Sequence, residues 1–183
     1  MHDHARHDHE RQHLLELYLN DHLAAAYGGA ALARRIARTH PTTTPDLWRL
    51  AREVTEDRDT LVQLMNSLGV QPRRHRMVAG AVAERVGRVK LNGRIVHRSP
   101  LSDVLELEAM RSGVQGKLAL WRALRRVAPD DDRMCARLDR LEERARHQAE
   151  LLDAQHAEAA ERSLSESERA YPVYPPKPVA GCL

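Results

Sequence analysis

Apolar residues return at every third or fourth position along four long stretches of this chain, and that spacing restricts it to helices packed on helices. In the first stretch, Glu10 to Arg38, the stripe is Leu14, Tyr18, Ala25, Leu32 and Ile36. The second uses Leu47, Leu50, Val54, Leu61, Met65 and Leu68, and the third Leu101, Val104, Leu105, Leu118, Trp121 and Leu124. The fourth runs from Met134 through Leu138, Leu141, Ala145 and Leu152 to the neighbourhood of Leu164. Composition points the same way. Hydrophobic residues are 42% of the 183, enough for a core, but aromatics are 3% and Phe is absent. Sandwiches and barrels draw on aromatic and β-branched side chains, whereas Leu, Ala and Val suffice between helices.

The punctuation between stripes is equally readable. Pro41 and Pro45 end the first helix, and Thr44 or Asp46 caps the second. Gly69 closes the second helix in the left-handed conformation that glycine adopts at little cost. Ser99 or Ser102 caps the third helix beside Pro100, and Pro129 with Asp130, Asp131 and Asp132 makes a turn and an acidic first turn for the fourth. Between the second and third helices, residues 72–90 carry a shorter helical pattern in Met77, Val78, Ala81, Val82, Val86 and Val89, followed by the turn dipeptide Asn92-Gly93. The expected organisation is a disordered His/Asp-rich arm over 1–10, a helical bundle over 11–164 and a Pro-rich disordered tail over 165–183. Four long helices with one long connection predict an all-α, ferritin-like up-down four-helix bundle, with a crossover segment containing a short extra helix.

Several function classes drop out. No GxSxG, P-loop or GxGxxG is present, which sets aside the usual nucleophilic and nucleotide-binding chemistries. Cys135 and Cys182 form no disulfide framework or zinc spacing, no apolar run approaches the roughly 20 residues of a membrane span, and the N-terminus is polar, so a cytoplasmic location is expected. Gly28-Gly29 lies within the first stripe and is read as a place where a neighbouring helix packs closely.

The informative positions are polar ones inside apolar stripes. Asp21 lies between Tyr18 and Ala25, with His22 beside it; Asp57 lies between Val54 and Leu61, with Glu53 nearby; Glu108 follows Leu101, Val104 and Leu105. On the fourth helix Gln148 continues the seam, and His147 and Glu150 diverge from it by about 100° and about 200°. A carboxylate near a bundle axis needs a partner, because burial strips its hydration. One reading is a carboxylate-bridged Fe or Mn pair using Asp21, His22, Glu53, Asp57, Glu108, His147 and Glu150, which would make the chain a di-metal oxidoreductase or storage protein. The other is a set of acids satisfied by the many arginines, in a binding or structural protein without catalysis. The expectation is that Asp21, Asp57 and Glu108 converge, and that Gln148 rather than His147 donates to them.

Three segments carry a family resemblance: Tyr18-Leu-Asn-Asp-His22; Thr55-Glu-Asp-Arg58 with Leu61; and Leu91-Asn-Gly-Arg94 continuing to Gly116-Lys-Leu-Ala-Leu-Trp-Arg122. Over roughly residues 14–152 the chain resembles uncharacterised ferritin-like four-helix-bundle proteins of high-GC, actinobacterial-type bacteria. That resemblance implies a fold and no particular activity. The di-iron pattern itself is broken here. The second helix offers Glu53-Val-Thr-Glu56 and the fourth His147-Gln-Ala-Glu150, where Glu-x-x-His is required. Asp153-Ala-Gln-His156 has suitable spacing, but Glu108 is expected level with residue 150, roughly 9 Å short of His156 at about 1.5 Å per residue.

Two further features concern partners. His2, His4, His7 and His9 offer loose adventitious sites for Ni, Cu or Zn. The basic stretch 72–98 includes Arg73, Arg74, Arg76, Arg88 and Lys90 against a single acid, Glu84. A third reading is a nucleic-acid-associated bundle that uses this stretch, with phosphate binding expected to be weak and salt-sensitive because no aromatic residue is there for stacking; the alternative is a solvated Arg-rich face or a partner for acidic helices. Other expected partners are further copies of the chain, in a homodimer or higher homo-oligomer.

Overall fold

The computed structural model describes residues 2–40, 44–73, 100–127 and 131–165. All of the regular structure among them is helical: α1 His2–Thr39, α2 Pro45–Ser67, α3 Pro100–Val127 and α4 Asp132–Ser165. No helix among them is long and apolar enough to cross a membrane. The short helix read over 72–90 and the Pro-rich tail lie outside the described residues, apart from Pro72, Arg73 and Ser165 at their edges.

Side-chain pairings fix the directions. Arg34 reaches Thr55 and Arg73 pairs with Glu16, so α1 and the end of α2 run antiparallel. Arg35 on α1 pairs with Glu106 near the start of α3, while Leu15 and Leu124 share a cavity wall at the other end, so α1 and α3 are antiparallel too. Arg122–Glu142 and Arg125–Asp139 set α3 against α4 in the same sense, and Arg137 to Gln63 with Arg144 to Asp57 does so for α2 and α4. Every neighbouring pair is antiparallel, and α2 and α3 stand diagonally across the bundle, pointing the same way. The end of α2 and the beginning of α3 are therefore at opposite ends of the bundle.

The helix ends follow from local chemistry. At the end of α2, Val70 N–H donates to Met65 O (2.9 Å) and Gly69 N–H to Asn66 O (3.1 Å), with Gly69 at φ 70°. This is a Schellman cap, and its two apolar members Val70 and Met65 are both buried. Asp131 caps α4 by accepting from the N–H groups of Arg133 (2.9 Å) and Met134 (3.3 Å). Thr44 occupies the N-cap position of α2, but its hydroxyl makes no capping bond. Pro100 supplies the preset φ that suits a first helical position. The structure continues α1 back to His2, over the stretch read from sequence as an arm; Arg6, His7, His9 and Glu10 are exposed there and add nothing to the core. Extending a nucleated helix costs far less than starting one.

The core seam is as read on α2 (Leu47, Leu50, Val54, Leu61, Met65) and on α4 (Leu138, Leu141, Ala145, Leu152). On α1 it is rotated. Leu14 is 58% exposed and Tyr18 37%, while Leu19, Leu23, Ala30, Ala33 and Ala37 are buried; of the stripe as read, Ile36 is buried. On α3 the buried line is Val104, Leu107, Met110, Val114, Leu118 and Trp121, and Leu101 is exposed. The close-packing reading of Gly28-Gly29 also fails at Gly29, where an added Cβ would meet no atom within 4 Å.

Candidate functional site

Lys117 and Asp57 sit at the centre of the charged layer. Lys117 continues the buried line of α3, seven residues beyond Met110 and four before Trp121, so its stem passes through the core. Its ammonium donates to Asp57 Oδ2 at 2.5 Å and also to Gln148 Oε1. Asp57, on α2, is 2% exposed. Its other oxygen, Oδ1, accepts from Arg144 Nη2 on α4, and Arg144 Nη1 reaches Glu56 at 3.3 Å. Gln148 completes the layer: its Nε2 donates to Glu53 Oε2 at 3.0 Å and to Asp57 Oδ2 at 3.4 Å. Arg49 stands 3.8 Å from Glu53 on the outer side. Two cations thus face three carboxylates, with a third cation at the rim, so the layer is neutralised by the chain itself.

Desolvation dominates the electrostatics. Burial pushes the Lys117 pKa below the ordinary lysine value, against the upward pull of the Asp57 carboxylate. A groove of about 450 Å³ between α2 and α4, lined by Arg49, Glu53, Arg140, Glu143, Arg144 and His147, opens beside the layer.

The residues selected from sequence divide into three groups. Glu53 and Asp57 do come together, joined through Gln148, which faces the acids and donates to them as expected. His147 lines the adjoining groove but is 67% exposed and pairs with Glu143 at 3.4 Å, while Glu150 is exposed on α4. Asp21 and Glu108 do not join the layer; both are exposed, so the expected convergence of Asp21, Asp57 and Glu108 is not what the fold produces. The α1 stripe lies one line off the buried face, and on α3 the line through Leu101 and Leu105 does so while Val104, Leu118, Trp121 and Leu124 are buried as read; a single residue rotates a side chain by about 100°. His22 is half-buried with its ring edge-on to Tyr18, centroids 4.6 Å apart, and burial lowers its pKa against the opposing effect of Asp21. Among the described residues, no group of three or more His, Cys, Asp or Glu side chains is placed to hold a metal ion.

The register expected for Glu108 also needs correction. Glu108 meets His156 at 3.1 Å, and Arg111 pairs with Asp153 one turn away. Helical side chains lean toward their own N-termini. Between antiparallel helices, the lean of Glu108 away from the α3–α4 turn is met by the lean of His156 toward it, so the matching residue lies beyond 150. Both pairs are solvent-exposed and contribute little stability.

Of the basic stretch, Arg73 is described: it pairs with Glu16 at 2.6 Å, and its backbone N–H donates to Asn20 at 2.7 Å. Arg74, Arg76, Arg88 and Lys90 lie outside the described residues. Sequence reasoning missed Lys117, although a lysine at the helical spacing Met110, Val114, Lys117, Trp121, Leu124 was the available signal. It missed Arg144 as a buried-acid partner, and the buried acids Asp103 and Glu106, the latter paired with Arg35 at 2.6 Å.

Fold and site together define an all-α four-helix protein with an internally neutralised charged layer. Compared with family models, curated proteins and solved structures, the chain matches none.

Proposed function

We propose that this is a ferritin-like four-helix bundle acting without catalysis, as a binding or structural protein, in which the Lys117 ammonium takes the central place that iron or manganese holds in di-metal bundles. The observation that carries this reading is the Lys117–Asp57 contact of 2.5 Å, made together with the bond to Gln148. A tethered cation already neutralises the one fully buried carboxylate of the layer, and a metal entering there would have to displace both Lys117 and Arg144. The helix order supports the ferritin-like part: antiparallel neighbours with α2 and α3 parallel across the diagonal are what a bundle with one long crossover requires.

The test is iron and manganese content of the full chain carrying alanine at His2, His4, His7 and His9, before and after His147→Ala. The expected result is no stoichiometric metal in either form. Roughly two metals per chain, lost with His147→Ala, would instead establish a dinuclear centre of the ferritin type.

A further inference from the structure

The core is open at the end where α2 and α3 finish and α4 begins. A cavity of about 360 Å³ lies there, walled by Leu15, Leu64, Leu124 and Leu138, with Met134 at its side. All four helices contribute, so it is an extension of the bundle axis rather than a surface wrinkle. Val127 at its mouth is 64% exposed. A single charged residue lines it, Arg11 on α1, and no carboxylate pairs with Arg11 among the described residues. Gln12 is the one other polar lining residue. A chamber with mostly apolar walls and a few polar groups at its edge, between the helices of a bundle and near the lower end of the usual volume range, is the common form of a small-ligand site.

We propose that this cavity binds a medium-chain carboxylic acid, its hydrocarbon chain along the leucine walls and its carboxylate on the Arg11 guanidinium. Charge decides the head group: the lining charge is a cation with no carboxylate partner among the described residues, and a guanidinium presents paired donors that match a carboxylate. The wall chemistry decides the tail, since each ligand methylene moved out of water is favourable and Leu15, Leu64, Leu124, Met134 and Leu138 give the cavity an apolar lining. The site is separate from the Lys117–Asp57 layer, so it stands or falls independently of the metal question.

The experiment is calorimetric titration of the full chain with decanoate and with decanol. One saturable decanoate site per chain is expected, with decanol about fivefold weaker; Arg11→Gln should lower decanoate affinity about fivefold and leave decanol unchanged, as for an exposed ion pair. Met134→Trp, which fills the cavity from a part-buried position, should abolish binding of both while circular dichroism still reports a folded helical protein. Should Met134→Trp not fold, Leu68→Trp at the rim serves the same purpose. No saturable binding, or binding unchanged when the cavity is filled, overturns the site; equal affinity for both ligands with no effect of Arg11→Gln overturns the carboxylate assignment.

Discussion

Lys117 reaches across the bundle diagonal from α3 to place its ammonium 2.5 Å from Oδ2 of Asp57 on α2. The contact is short and buried, yet it is not a source of stability in itself. The downward shift of the Lys117 pKa means that burial disfavours the ammonium more than Asp57 and its neighbours favour it. Buried pairs commonly behave this way: the hydration lost is comparable to the attraction gained, and what is costly is leaving one partner alone.

The first prediction is therefore an asymmetric mutant cycle. Asp57→Leu strands Lys117 beside Arg144, and Lys117→Met leaves Asp57 with Arg144 as its remaining cation. Each single change is expected to lower unfolding free energy, by about 3–5 kcal/mol for Asp57→Leu and less for Lys117→Met. The double variant should recover most or all of the loss, giving a large coupling energy. Chemical denaturation of the four proteins measures it. Additive losses would mean that the two residues do not act as a pair.

A second prediction follows from the direction of the Lys117 shift. A base whose folded pKa lies below its unfolded value carries fewer protons in the native state than in the unfolded state between those two values. Stability then rises with pH across that window, which closes near the ordinary lysine value of about 10.4. Wild type should accordingly gain stability relative to Lys117→Met as pH climbs from neutrality toward 10. Thermal melts of both proteins at matched ionic strength provide the comparison. A relative loss for wild type would show that Asp57 outweighs burial and that the folded pKa is raised.

Two glycines give a third, paired prediction. Gly69 sits at φ 70° in the α2 cap, and an added Cβ there would meet no other atom within 4 Å, so the penalty for Gly69→Ala is purely conformational, about 1–2 kcal/mol. Gly29 lies inside α1 with equally open surroundings. Gly29→Ala should stabilise the protein by about 0.5–1 kcal/mol, because alanine restricts the unfolded chain and fits a helix. Opposite shifts in melting temperature are expected. Destabilisation by Gly29→Ala would reveal a partner packed on that face of α1.

What was legible in the sequence depended on how unambiguous each stripe is. On α2 the apolar residues leave a single line, and Asp57 falls inside it; on α4 the same is true of Gln148. Both were placed correctly. Helix α1 is rich in alanine and has leucine on two adjacent lines, Leu14 and Leu15, so periodicity alone cannot choose between faces separated by about 100°. Packing chooses Leu15 and Leu19, and with that choice Asp21 turns to solvent. On α3, starting the stripe at Leu101 led to Glu108, whereas the buried line passes through Leu107. Lys117 was hidden for a different reason. A long amphipathic side chain is expected on the surface, and only the three-dimensional proximity of Asp57 explains why one occupies a core position.

The last prediction turns the central layer into a test of its own logic. If Lys117 holds a cation's place, removing its ammonium while adding a carboxylate should let an external cation occupy it. In the double variant Lys117→Ala/Gln148→Glu, carboxylates at positions 53, 57 and 148 would face the vacated volume, and hard oxygen donors favour Mn2+. Arg144 keeps one oxygen of Asp57 engaged, so the new site is expected to bind a single ion. Excess Mn2+ should then stabilise the double variant, by about 2.7 kcal/mol at roughly a hundred times its Kd, and leave the wild type unmoved. Lys117→Ala alone, which retains the Gln148 amide, should respond less. A melting temperature of the double variant indifferent to Mn2+ would show that the position is shaped for an alkylammonium and not for a metal ion. Equal stabilisation of the wild type would place the metal somewhere other than beside Asp57.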